Sequence, residues 1–430
     1  MNKDILKLAI PNIISNISVP LLSAVDTALM GHISSTYLAA IGISSMIFVF
    51  IYGSFGFLRM GTTGITAQFF GSKNEKEIYN TLLRAVIVAT ILAFTLIIFK
   101  DFIFDISIYL MNIDESYKDY AHSYFNIRIY AALAQFLQFA IFGWFFGVQN
   151  ALIPLYVTIL INIVNAIFSI YFVRYMDMGI DGVAYGTLIS QYIGLVVLLF
   201  LLYLRFKRYK ISICAKDIFV NERIKRFFVV NKDIFIRTMT LTFVLAFFYS
   251  QAAKYSKDML ATMTVLMQFL IWFSFGVDGF ANATESLVGR FYGANDWKNF
   301  YKAIRYNFYY AFFFSLFFVL VYYLFFEQIV AIYSSDKEII ISSKRYCLFV
   351  VLLPIFSFVA FIWDGVFVGM TASKALRDTI LLSSILFFAT FYLFRSIDYG
   401  YALIGSFLLF FIFRSFIQSY LFYKNRLNIK

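Results

Sequence analysis

The sequence predicts an all-α integral membrane protein, with twelve transmembrane helices in two pseudo-symmetric six-helix lobes. Three observations carry this expectation. The 430 residues are 62% hydrophobic and 14% charged, where soluble chains carry roughly a quarter charged residues. Twelve apolar stretches approach the ~20 residues that a helix needs to cross a bilayer. Residues 38–74 are matched without a gap by residues 260–296, an offset of 222, with Phe69-Phe70-Gly71 falling on Phe291-Tyr292-Gly293. At the same offset Gly143 and Gly147 fall on Gly365 and Gly369. One offset held over so much sequence implies two similar halves in the same orientation, an organisation found in alternating-access transporters.

The expected spans are 8–31, 38–62, 80–104, 119–146, 151–173 and 182–204 in a first lobe covering 1–204. A second lobe, 234–430, holds 234–255, 260–287, 302–326, 343–369, 376–395 and 400–423. The start, MNKDILKLAIPNII, lacks a small-residue cleavage site and runs past signal-peptide length, so it reads as the first span. Between the lobes, 205–233 is the longest polar stretch. It carries Arg205, Lys207, Arg208, Lys210, Lys216, Arg223, Lys225, Arg226 and Lys232, and reads as a basic linker. Pro11 and Pro20 lie in span 1, where proline removes a backbone hydrogen bond and kinks a helix.

Charge sets the expected orientation. Lys73, Lys76, Arg290, Lys298, Lys374, Arg377, Lys424, Arg426 and Lys430 fall on the linker's side of a twelve-helix path. Asp101, Asp105, Asp114, Glu115 and Asp119 fall opposite. By the positive-inside rule both termini are cytoplasmic, in an inner membrane. The net charge of +12 then implies anionic lipid headgroups as partners and no nucleic acid, since there is no soluble domain to bind a duplex. Cys214 and Cys347 are too few for a disulfide framework, and His32 and His122 argue against a histidine metal site. There is no phosphate-binding loop, so ATP drive is not indicated.

Charges inside spans mark function. Asp26 lies late in span 1 between apolar residues, with no basic residue within a turn, and its repeat partner is Phe248. A proton or Na+ bound there removes the penalty of the buried charge. Asn162, Asn165 and Ser169 form a polar stripe along span 5, and Thr187 lies in span 6. In the second half, Asp278 and Glu285 are two turns apart on one face of span 8, where they are candidates for a cavity attracting cationic substrate. Asp364 lies late in span 10, with Arg59, Arg128 and Arg237 as candidate counter-ions; Arg59 and Arg237 are also placed to snorkel to the cytoplasmic face. Met30 and Met60, among aromatics, suit a pliable ligand surface.

Five stretches resemble the multidrug and toxic compound extrusion (MATE) family, in its DinF-like branch. They are PNIISNISVPLLSAVDTALMGHI at 11–33, FLRMGTTGITAQFFG at 57–71, GVAYGTLISQ at 182–191, DGFANATESLVG at 278–289 and DGVFVG at 364–369. The resemblance implies a twelve-helix fold of two lobes and export of amphipathic, often cationic compounds driven by protons or sodium ions. It places the principal cation-coupling carboxylate at Asp26, within a polar cluster with Asn165, Ser169 and Thr187. Ser169 departs from the family, which has Asp there. Losing that carboxylate removes a hard oxygen ligand that Na+ favours, so proton coupling is expected over Na+ at Asp26.

The expected protein is thus a monomeric cation-coupled exporter with no cofactor beyond H+ or Na+. A flippase for a lipid-linked headgroup would favour a cationic cavity, against which Asp26, Asp278 and Glu285 argue. A membrane-embedded enzyme would need a nucleophile and base or metal ligands, and no such arrangement is present. A channel would need rings of like residues around a pore.

Overall fold

The 222-residue repeat is visible in the way the helices end. The computed structural model describes residues 1–31, 33–111, 113, 115–206 and 215–426. His32, Asp114, Lys207, Arg208, Lys210, Cys214 and Lys430 of the sequence reading lie outside them. In the first half the helices are α1 (Asn2–Gly31), α2 (Ser35–Ser54), α3 (Phe57–Gly71), α4 (Glu75–Ile98), α5 (Lys100–Met111), α6 (Glu115–Arg128), α7 (Ala132–Gly147), α8 (Leu152–Arg174) and α9 (Gly179–Phe206). The short α10 (Ala215–Ile218) precedes α11 (Asn221–Tyr255), α12 (Lys257–Gly293), α13 (Trp297–Leu324), α14 (Phe326–Tyr333), α15 (Lys337–Arg345), α16 (Cys347–Gly369), α17 (Ser373–Phe394) and α18 (Tyr399–Arg426). Among the described residues, twelve helical segments are long and apolar enough to cross a membrane.

Lys73 and Asn295 are left-handed, with φ of 55° and 54°, and so are Gln149 and Thr371, with φ of 66° and 53°. The members of each pair are 222 residues apart. Each closes a helix by the same backbone bond, donated by the residue that follows it. Asn74 N donates to Phe69 O and Asp296 N to Phe291 O, both at 3.0 Å. Asn150 N donates to Phe145 O at 2.9 Å and Ala372 N to Phe367 O at 2.8 Å. These bonds satisfy the terminal carbonyls that a helix leaves open. The next helices then start on matched caps, with Asn74 Oδ1 accepting from Glu77 N and Asp296 Oδ1 from Asn299 N, each at 3.1 Å.

The glycines that repeat do so because backbones touch. A Cβ on Gly143 would lie 2.4 Å from Arg59 O, and one on Gly365 would lie 2.3 Å from Ala281 O. Residues 59 and 281 are themselves 222 apart. Gly147 sits against Thr66 and Ala67, and Gly369 against Glu285 and Gly289. α7 therefore packs on α3 in the same register in which α16 packs on α12.

The halves differ where the sequence breaks the repeat. Span 2 was expected as one helix over 38–62. It is bent after Ser54, beside Gly53 and Gly56, and continues as α3 to Gly71. Its counterpart α12 is unbroken from Lys257 to Gly293. The expected linker over 205–233 is helical from Asn221 onward, continuous with the span expected to start at 234. The reason is a helical spacing of buried residues, with Phe227, Val230, Asn231, Asp233 and Ile234 inside and Lys225 and Lys232 exposed. Two compact units result: Ile14–Phe227, here the N-unit, and Met1–Ile13 with Phe228–Lys430, here the C-unit. The first turns of α1 thus belong to the C-unit, where Gly279 gives α12 room for Ala9 and Ile13. The first turns of α11 belong to the N-unit.

Gly143→Ala and Gly365→Ala should each destabilise by about 1–3 kcal/mol, because the carbonyl in the way cannot move independently. Gly42→Ala, with nothing within 4 Å of the new Cβ, should be neutral or stabilise by up to ~1 kcal/mol through helix propensity. Thermal unfolding in detergent reads all three.

Candidate functional site

In the N-unit, α1, α8 and α9 bring the expected cluster together. Asp26 is 7% exposed, and Asn165, Ser169 and Thr187 are buried with it. Ser169 Oγ donates to Asp26 Oδ1 at 3.2 Å. Asn165 Nδ2 donates to Thr187 Oγ1 at 3.0 Å. Thr187 and Asn165 also face the Asp26 carboxylate. Asn165 Oδ1 is buried with no donor among the described residues, an uncommon state for a buried amide oxygen.

A ladder of small residues on α9 makes this proximity possible. Gly182, Gly186, Ser190 and Gly194 recur every four residues, the spacing that lets membrane helices approach closely. A Cβ on Gly186 would lie 2.5 Å from Ser169 Oγ and 2.7 Å from Ser169 N, and one on Gly194 would meet Ile161 at 2.3 Å. Gly186 thus seats Thr187 beside Ser169. The spacing was readable in the sequence, but glycine carries no polar atom and drew no attention as part of a site.

Arg128 is the cation whose charge acts on Asp26. It does not form an ion pair with it. Its Nη1 donates to Tyr124 Oη at 2.8 Å, and the guanidinium lies 4.7 Å from the centroid of the Phe48 ring. Asn162 lies one turn before Asn165 and donates through Nδ2 to Ser18 O at 2.9 Å. It ties α8 to the backbone of α1 two residues before Pro20. Met30 is fully buried at the end of α1.

In the C-unit, Asp364 is the centre of a buried charge network. Arg237 on α11 and Arg414 on α18 both donate to its Oδ2, and Gln418 Nε2 donates to Oδ1 at 2.7 Å. Arg237 was an expected counter-ion. Arg414 and Gln418 were not expected, because 400–423 was read only as the twelfth span. An arginine inside an apolar run, in FIFRSFIQ, was the signal. Asp278 is half-buried on α12 and acts electrostatically on Arg414. Glu285, two turns on, is 2% exposed.

Asp26 and Asp364, both buried, are therefore held differently. Asp364 has two resident guanidiniums, and Asp26 has neutral hydroxyls and an amide. Asp364→Asn should leave two buried arginines without their carboxylate and cost about 3–5 kcal/mol. Asp26→Asn, which removes a charge that no ion pair compensates, should leave stability unchanged or raised. Unfolding midpoints of both variants in one detergent check the contrast.

Comparison with known proteins agrees with this architecture. The MatE family model matches residues 11–171 and 234–393. The chain is 30% identical to the DNA damage-inducible protein F of Escherichia coli K12 over 384 residues, covering 89% of this chain and 84% of that protein. It is 24% identical to a protein of Thermotoga maritima named probable multidrug resistance protein NorM, covering 80% and 75% of the two chains. Among solved structures, an outward-facing multidrug resistance MATE family transporter matches with a TM-score of 0.88 at 19% identity, covering 99% of this chain and 95% of that one. A MOP superfamily transporter from Pyrococcus furiosus matches with a TM-score of 0.87, also at 19% identity and with the same coverage. With its family model matched across both halves and its fold shared with these transporters, the chain belongs to the MATE family of multi-pass membrane transporters.

Proposed function

We propose that this protein is a secondary active exporter that exchanges amphipathic, organic-cation compounds for protons by alternating access. One observation carries the reading. A buried carboxylate, Asp26, is hydrogen-bonded by the neutral hydroxyl of Ser169 and has no ion-pair partner among the described residues. A protonated carboxyl is neutral and gains a donor that it otherwise lacks, so proton uptake would remove a buried charge.

The same cluster favours H+ over Na+. A bare Na+ needs several hard oxygen ligands to replace its water, as hard cations do. Here one carboxylate is joined by the hydroxyls of Ser169 and Thr187, where the family has a second carboxylate. The names of the relatives, which include multidrug resistance proteins, support a broad substrate class. The alternation of basic and acidic loops supports an inner-membrane protein with both termini cytoplasmic. Membrane lipids are its expected surroundings, and a monomer its expected unit, with no cofactor beyond the coupling ion.

Coupling requires that substrate and proton disfavour each other's occupancy, since linkage is reciprocal. Adding a lipophilic cation such as ethidium to the protein in weakly buffered detergent should therefore release protons. Asp26→Asn should bind the dye and release none. Dye binding to the wild-type protein with no proton release would overturn the competition between dye and proton.

A further inference from the structure

Arg128 is a half-buried cation of the N-unit that is held without a carboxylate. It ends α6, and a single 3-10 turn over Ile129–Ala131 leads on to α7. A cation in the last turn of a helix meets the negative end of the helix dipole. Its Nη1 donates to Tyr124 Oη, one turn back, at 2.8 Å and lies 3.5 Å from Ser45 Oγ on α2. The guanidinium sits 4.7 Å from the centroid of the Phe48 ring and 5.5 Å from that of Tyr124, and such faces attract a desolvated cation. All of these partners are neutral. Among the described residues no carboxylate lies within 4 Å of Arg128, and its Nε and Nη2 make no hydrogen bond.

The C-unit treats its guanidiniums differently. Arg237 and Arg414 both donate to Asp364, so their charge is opposed by a fixed partner. Arg128 and Asp26 act on each other only through space. Each is positioned by its own neutral group, Arg128 by Tyr124 and Asp26 by Ser169. The positions 222 residues beyond Asp26 and Arg128 are Phe248 and Val350, both buried and apolar. At this offset the second half lacks both charges together.

A positive charge kept near a carboxylate, but apart from it, weakens the hold of that carboxylate on every visiting cation. The repulsion scales with the charge of the visitor. At an effective dielectric of about 20 and a separation of about 10 Å, one unit charge alters the affinity of a monocation by roughly tenfold, and that of a dication by roughly a hundredfold. A neutral ligand is left unaffected. An arginine serving only to neutralise Asp26 would pair with it, as Arg237 and Arg414 pair with Asp364.

We propose that Arg128 is a charge filter, a specificity-determining residue that restricts the site at Asp26 to singly charged substrates and keeps them weakly enough bound to be released. This rests on the reading of Asp26 as the place where substrate and proton compete. It narrows the substrate class from organic cations to monocations.

The test varies ligand charge on one skeleton. Binding is measured in detergent, at one pH and ionic strength, for ethidium, for propidium, which adds a second, quaternary charge to the same ring system, and for neutral 6-phenylphenanthridine. The wild type should hold ethidium about tenfold or more tighter than propidium. Arg128→Gln should tighten ethidium by about tenfold and propidium by about a hundredfold, with the neutral compound unchanged. Arg128→Lys, which keeps the charge, should keep the wild-type order. In proteoliposomes Arg128→Gln should lower KM and kcat for ethidium together, since tighter binding slows release. A merely structural role for Arg128 would move all three ligands alike. Wild-type protein that holds propidium as tightly as ethidium would overturn the filter whether or not the variants fold, as would an Arg128→Gln protein with an unchanged ratio of the two affinities. Failure of the wild type to bind ethidium at all would instead overturn the exporter reading, and the filter with it.

Discussion

A carboxylate buried among membrane helices has to be neutralised, and the protein meets that constraint in two ways. Isolated charge in a low-dielectric interior is heavily penalised, so a buried acid either keeps a permanent counter-ion or exchanges a mobile one. Asp364 keeps two guanidiniums and an amide. Asp26 keeps a hydroxyl, with Arg128 acting through space. The first arrangement locks three helices of the C-unit together. The second leaves α1 joined to α8 by a bond whose strength depends on what occupies the carboxylate. This physical difference, more than their depth, is the ground for reading Asp364 as structural and for proposing Asp26 as the coupling acid.

The frame around these acids is largely local chemistry written twice. Left-handed turns at Lys73 and Asn295, caps at Asn74 and Asp296, and bare-backbone contacts at Gly143 and Gly365 set the same helix ends and packing in each half. Departures from the repeat coincide with the features on which the proposed function rests. Asp26 has Phe248 as its counterpart, the α2–α3 bend has none in α12, and Arg84, which holds the end of α10, has Tyr306 as its counterpart.

The membrane class, the twelve spans and the repeat were legible because they are properties of composition and spacing. The Asp26 cluster was legible in part. Its isolation among apolar residues was on the page, while its grouping with Asn165, Ser169 and Thr187 came through family resemblance. Other features were hidden by distance in sequence. Arg414 and Gln418 reach Asp364 from fifty or more residues away, and no local pattern pairs them. Arg84, unremarked in the sequence, holds the last carbonyls of α10 from more than 130 residues away. The basic stretch after Asn221 looked like linker because charge masks an amphipathic period: Phe227, Val230 and Ile234 are spaced for a helix, with lysines and arginines between them.

The account turns on whether Asp26 exchanges a proton for its charge during transport. The measurement that reaches this most directly is substrate efflux from proteoliposomes, driven separately by an imposed pH gradient and an imposed Na+ gradient, for wild type and Asp26→Asn. Efflux that follows the pH gradient in the wild type and vanishes in the variant is the result expected of a proton-exchanging Asp26. Efflux that runs on the Na+ gradient alone, or that survives Asp26→Asn undiminished, would contradict it.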